Sequence, residues 1–243
     1  MDGAANGLKA FWNELGLVDP FWVIRSVPGL ENCRTDPATF FDSGRSEIRW
    51  MLQYLRSLGI SLCNQQALDV GCGIGRQTQA LCEYFGWVHG IDIAPSMIDL
   101  AHRYNRYGTR CQFWLGSGRD LGLFRDGTFD LVYSNCSLQH VDQPTAVKYI
   151  AEFSRVLRRQ GVAVFQMPEY RGTAQIQTDL RSSISSLPAS EVMRILISVG
   201  LVPVAYERND TFAMLYPNHA NYVYVARKVA PTGLSGSRRG SVA

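Results

Sequence analysis

The sequence predicts a doubly wound α/β fold, in which a mostly parallel sheet carries helices on both faces. Three observations predict it. From Ala67 onward, short apolar runs alternate with longer segments of helical period, the pattern of strands joined by right-handed crossovers. The first run ends in a glycine-rich turn, LDVGCGIGRQ, where a parallel sheet places its ligands. The last two runs, LVPVAYE and NYVYVARK, have no helical segment between them and are expected to pair antiparallel at the sheet edge.

The first sixty residues are rich in aromatics and read as helical, a small cover over the domain. Within SGRSEIRWMLQYLRSLG, Ile48, Met51, Leu52 and Leu55 recur at helical spacing and predict one buried face. Seven runs then read as strands: ALDVG, WVHGID, CQFWLG, FDLVYSN, GVAVFQMP, LVPVAYE and NYVYVARK. The periodic segment PTAVKYIAEFSRVLRR predicts a helix running to Arg159, with Arg155, Arg158 and Arg159 as a solvated face near its C-terminus. A further helix is expected around Ala189 to Ser198. The tail APTGLSGSRRGSVA has the composition of a disordered end. The expected organisation is a helical cover over 1–60, a core over 61–229 and a tail over 230–243.

Composition narrows the partners. The net charge of +3, from 24 basic and 21 acidic residues, is too small to predict a nucleic-acid groove or a membrane-surface patch. The six cysteines (Cys33, Cys63, Cys72, Cys82, Cys111, Cys136) are scattered, with no C-x-x-C, which suits a reducing compartment. The N-terminus lacks a basic region followed by an apolar stretch, and no apolar run approaches the ~18 residues that span a bilayer. The expectation is a soluble, cytoplasmic protein with no membrane and no nucleic-acid partner.

The glycines fall at 71, 73 and 75, and Arg76 stands where a dinucleotide fingerprint wants its third glycine. That spacing argues against a pyrophosphate ligand. Asp92 ends the second strand about twenty residues beyond the loop, where a carboxylate accepts hydrogen bonds from ribose hydroxyls. Together, loop and carboxylate imply a nucleoside.

At these residues the chain resembles the class I S-adenosylmethionine-dependent methyltransferases, a Rossmann-like family, in its small-molecule branch of the type 11/25 kind. Four separated segments carry the resemblance: LDVGCGIGRQT, IDIAPSMIDLA, FRDGTFDLVYSNCSLQHV and FSRVLRRQGVAVF. It implies S-adenosylmethionine as cofactor and a small-molecule acceptor. It also implies that Asp69, Gly71, Gly73 and Gly75 surround the methionine part, with Asp92 on the ribose and Ile93 and Met97 near the adenine. Ser117, Gly118 and Arg119 would pass the adenine edge; many relatives carry aspartate where Ser117 stands. Asn135, Cys136 and Ser137 would lie by the methionine moiety and the sulfonium.

Methyl transfer from a sulfonium needs alignment more than catalytic groups, and a base only where the acceptor must lose a proton. His140, just past the fourth strand, is the candidate base, which favours oxygen over nitrogen as the methylated atom. Glu169 and Glu207 are alternatives, whereas His89 and His102 read as structural. Cys136 follows an asparagine rather than the proline of cytosine-methylating enzymes, so it is not expected to be a nucleophile. No spacing suggests a metal site. The acceptor pocket is expected from the N-terminal helices, the segment 169–187 and the loop 209–218, with Trp22, Phe41, Tyr170, Phe212 and Tyr216 as candidate walls beside Phe21 and Phe40. Gly44 and Arg45, read as opening a helix, are candidates to touch the cofactor carboxylate. Two other readings stay open: a cofactor-binding protein without transferase activity, and a methyltransferase acting on RNA or protein.

Overall fold

The computed structural model describes residues 2–25, 36–170, 184–209 and 219–229. Three helices come first: α1 (Asp2–Val18), α2 (Pro20–Arg25) and α3 (Pro37–Ser57). The alternating part follows as β1 (Gln66–Val70), α4 (Arg76–Leu81), β2 (Trp87–Asp92), α5 (Pro95–Tyr104), β3 (Cys111–Leu115), β4 (Phe129–Ser134), α6 (Gln143–Val156) and β5 (Leu157–Tyr170). The chain then forms α7 (Ala189–Ser198), β6 (Leu201–Arg208) and β7 (His219–Lys228).

The seven strands form one sheet in the order β3-β2-β1-β4-β5-β7-β6. β1 pairs parallel with β2 and β4, and β4 parallel with β5. β7 runs antiparallel between β5 and β6. The strand order reverses at β1, so the glycine turn leaves the sheet at the crevice where open α/β sheets hold ligands. Burial explains the sequence texture. β1 and β4 are buried on both faces and read as continuous apolar runs, whereas the edge strand β6 exposes Val202, Val204 and Tyr206.

One core packs α6 and α7 against one face of the sheet, through Ile150, Phe153, Val192 and Leu196. The other packs α3, α4 and α5 against the opposite face, through Ile48, Met51, Leu55, Leu81 and Ile98. α3 therefore belongs to the sheet's own packing, whereas α1 packs on α5 and, with α2, borders the cavity described below. Local signals fix the helix starts. Asp36 accepts the Thr39 amide at 3.0 Å ahead of Pro37, and Asp142 accepts the Thr145 amide at 2.8 Å.

Two expectations are corrected. The fourth crossover helix ends at Val156, and Arg158 and Arg159 lie in β5. Arg158 ion-pairs at 2.9 Å with Asp130, which is 2 % exposed and also accepts the Gln65 and Gln66 amides; satisfying that buried carboxylate outweighs the helical period. Gly44 and Arg45 sit inside α3 rather than at its start. A Cβ at Gly44 would stand 2.5 Å from the Arg76 carbonyl oxygen, so this glycine lets α3 cross α4 closely. Arg45 is ion-paired with Asp42 and Glu83. Neither contacts the cavity described below.

The tail 230–243, Cys33, Phe212 and Tyr216 lie outside the described residues. The other five cysteines are free thiols. Among the described residues no helix is long and apolar enough to cross a membrane.

Candidate active site

A cavity of about 560 Å³ opens at the carboxyl ends of β1, β2 and β4. Its floor is the turn after β1. Gly71 and Gly73 have φ of +75° and +52°, the left-handed region that L side chains rarely adopt. A Cβ at Gly71 would fall 2.0 Å from Ser137 Oγ, and one at Gly73 2.8 Å from Ile24 Cδ1. Glycine is therefore favoured at both positions by conformation, and at Gly71 also by the close Ser137 side chain.

Asp92, at the end of β2, lines the same cavity. Its Oδ2 accepts the Gly73 amide and its Oδ1 the Ala94 amide, each at 2.9 Å. Each oxygen keeps a lone pair for a ligand hydroxyl. Burial pushes its pKa up, against the backbone amides that favour the charged form. Ile93, Met97, Gly116 and Gly118 line the neighbouring wall. Asn135, Cys136 and Ser137 follow β4 on the opposite wall.

His140 closes the turn Leu138–His140 and also lines the cavity. Its ring meets Trp12 of α1 edge to face, with centroids 4.9 Å apart, and its Nε2 lies 3.2 Å from Gln139 Nε2. Burial lowers its pKa to about 4, so the imidazole is uncharged at neutral pH. α1 is held over the site at Asn13, whose Oδ1 accepts the Ser96 amide at 2.9 Å and whose carbonyl accepts the Ser96 hydroxyl at 2.7 Å.

The remaining expected residues divide. Trp22 lines the cavity. Asp69 stands behind the loop, 1 % exposed, and accepts the Thr78 hydroxyl at 2.6 Å, so it braces α4 and does not form the wall. Gly75 packs on Phe113. Ser117 and Arg119 lie off the wall, where the Ser117 hydroxyl is tied to Asp120 and to the Arg119 amide. Phe41 is enclosed with Phe40 and Tyr104, and Tyr170 packs on His219; neither reaches the cavity. Glu169 accepts the Ala189 amide at the start of α7. His89 accepts from the Trp114 indole and His102 meets Phe113. The Cys136 thiol is pushed far up by burial, the reverse of what a nucleophile needs.

Sequence reasoning missed a polar bridge from α3. Glu47 ion-pairs with Arg76 at 2.8 Å, and its other oxygen accepts from Gln77 Nε2 at 2.8 Å and from Asn135 Nδ2. Arg76 and Gln77 line the cavity. The one signal for them was Arg76 in place of the third glycine of a dinucleotide loop.

The donor set fits an adenosine bearing an amino-acid chain. Glycines in the left-handed region floor the site, a carboxylate with open lone pairs stands where ribose hydroxyls would donate, and an apolar slot beside Met97 suits a purine. Comparison with known proteins agrees. Residues 67–161, about two fifths of the chain, match the methyltransferase domain family, which agrees with a site for S-adenosylmethionine.

Among curated relatives, it is 32 % identical over 97 residues to a ubiquinone biosynthesis O-methyltransferase of Xanthomonas euvesicatoria, covering 40 % of each chain. It is 28 % identical over 166 residues to a 2-methyl-6-phytyl-1,4-hydroquinone methyltransferase of Synechocystis, covering 67 % of this chain and 50 % of that one. The first match spans only about two fifths of its relative's length. In fold, the chain is similar to a magnesium protoporphyrin IX methyltransferase from Synechocystis solved with S-adenosylhomocysteine, with a TM-score of 0.65, 16 % identity and 93 % and 99 % of the two chains covered.

Proposed function

We propose that this chain transfers the methyl group of S-adenosylmethionine to a small-molecule acceptor, with oxygen favoured over nitrogen as the methylated atom. The observation that carries the reading is the convergence of Gly71, Gly73, Asp92, Asn135 and His140 on one cavity of about 560 Å³. Two relatives named as O-methyltransferases, of ubiquinone biosynthesis and of malonyl-acyl carrier protein, support the favoured atom.

The bound cofactor supplies an activated methyl on a sulfonium. In this reading Asp92 holds the ribose hydroxyls, the Gly71–Gly73 backbone makes room for the amino-acid portion, and Arg76 is the cation in the cavity wall for its carboxylate. Asn135 to Ser137 flank the reacting centre. His140 is the base: an acceptor oxygen becomes strongly acidic as its new bond to carbon forms, so an uncharged imidazole with a pKa near 4 is basic enough to take the proton at that stage. α1, pinned through Asn13 and Ser96, excludes water above His140.

Calorimetry with S-adenosylhomocysteine tests the cofactor part, and transfer of labelled methyl to a panel of phenols, hydroxylated quinones and amines tests the rest. Saturable cofactor heat with label on oxygen acceptors is the expected result. Absence of cofactor heat from folded protein would remove the reading.

A further inference from the structure

A second cavity, of about 420 Å³, lies between α3 and the strands β4, β5 and β6, and it shares Asn135 with the first. Its walls are Trp50 and Tyr54 of α3, stacked with centroids 5.6 Å apart and planes 9° apart, and Tyr133 of β4. Glu207 of β6 brings a carboxylate to its rim, and the Tyr54 phenol stands beside that carboxylate, with its pKa pushed up to about 12 by burial and by Glu207.

Gln166 of β5 makes this cavity more than a packing gap. The residue is 2 % exposed and lines the cavity. Its Oε1 accepts the Cys136 thiol at 3.0 Å, while its Nε2 is buried with no hydrogen-bond partner among the described residues. An amide donor buried without a partner is destabilising, and the neighbouring inward position on β5, Val164, is an ordinary apolar residue. The burial favours a valine or leucine at 166 unless something accepts from the amide.

We infer that this second cavity binds the acceptor, a flat hydroxylated ring whose carbonyl or ring oxygen accepts from Gln166 Nε2 and whose hydroxyl donates to Glu207. The inference rests on the methyltransferase reading for the word acceptor, and on the cavity alone for the ligand chemistry. The stacked pair Trp50–Tyr54 supplies aromatic faces for the ring. Asn135 stands at the junction of the two cavities, so a substituent on the ring reaches past it toward the wall that carries His140.

The test uses 4-hydroxybenzaldehyde as probe on the full chain, with and without S-adenosylhomocysteine. The side-chain amide resonances of Gln166, assigned by their loss in Gln166→Met, should shift saturably, and Trp50 fluorescence should be quenched over the same concentration range. Gln166→Met should weaken the probe at least tenfold and leave the S-adenosylhomocysteine affinity unchanged. Trp50→Ala, a change at a half-exposed surface position, should also weaken it and guards against misfolding of the first variant. Shifts confined to the Trp12–His140 wall, or unchanged probe affinity in both variants, would overturn the inference. Probe binding at Gln166 without any binding of S-adenosylhomocysteine would keep the ligand site and remove the methyltransferase reading.

Discussion

The carboxylate of Asp92 accepts the backbone amide of Gly73 at 2.9 Å, so the tip of β2 fixes the glycine turn that leaves β1. One side chain thus sets the loop's shape and presents its free lone pairs to the cavity. Asp92→Asn removes the charge and one acceptor from both tasks. Hydrogen bonds to charged groups are worth about 1.5–3 kcal/mol, so S-adenosylhomocysteine should bind roughly 10- to 100-fold more weakly by calorimetry.

Gly73→Ala tests the floor directly. The substitution places a Cβ 2.8 Å from Ile24 Cδ1 in a backbone region that costs L residues about 1–2 kcal/mol. Cofactor affinity should fall at least tenfold, with a loss of stability on the order of 1–2 kcal/mol in urea unfolding. Unchanged affinity would show that the turn is not the floor of the ligand site.

His140→Gln is expected to lower turnover by about 10²- to 10⁴-fold with an oxygen acceptor, the usual range for a positioned base, with cofactor affinity unchanged. Turnover in the native chain should be level from pH 6 to 8 as far as this group is concerned and fall toward pH 4. Stability follows the same residue. Its folded pKa, about 4, lies below the reference value of 6.5, so its contribution is present above pH 6.5 and is lost as pH falls toward 4. The glutamine variant should lose that part of the acid slope.

Asp69 has the opposite sign. Burial raises its pKa from 3.8 to about 7, against the Thr78 hydroxyl and Arg76, which favour the anion. Its contribution to stability is full below pH 3.8 and is lost as pH rises through 7. Asp69→Asn, which can still accept from Thr78, should flatten the urea-midpoint profile between pH 4 and 7.5.

Arg76→Leu strands the Glu47 carboxylate. The Arg76 side chain is 10 % exposed and that of Glu47 31 %; partial solvent access reduces the 3–5 kcal/mol typical of breaking a buried pair. A loss of about 2 kcal/mol in urea unfolding is expected, with weaker cofactor binding because the wall loses its cation.

The fold was largely legible because its signals are periodic and local. Alternating apolar runs marked all seven strands, and the missing helix between LVPVAYE and NYVYVARK marked the antiparallel pair. What failed was decided by contacts far apart in sequence. Arg158 and Arg159 continue a helical period, yet Arg158 answers to Asp130 on the adjoining strand. Phe41 and Trp22 look alike as cover aromatics, and only packing puts Phe41 in an enclosed cluster and Trp22 on the cavity wall. In the site, glycines and Asp92 were visible because backbone geometry and chemistry demand those residue types at a fixed spacing. Glu47, Gln77 and Gln166 carry no such spacing, since their partners come from other elements about 30 residues away.

The placement of β7 between β5 and β6 has a consequence for synthesis. β6 leaves the ribosome first but has no neighbour in the sheet except the strand made after it. Until His219–Lys228 is available, β5 lacks a partner along one edge and β6 lacks its sheet partner altogether, the gap that β7 fills. Chaperone engagement or misassembly during translation should therefore concentrate on that gap, and a pause before residue 219 would lengthen the exposure.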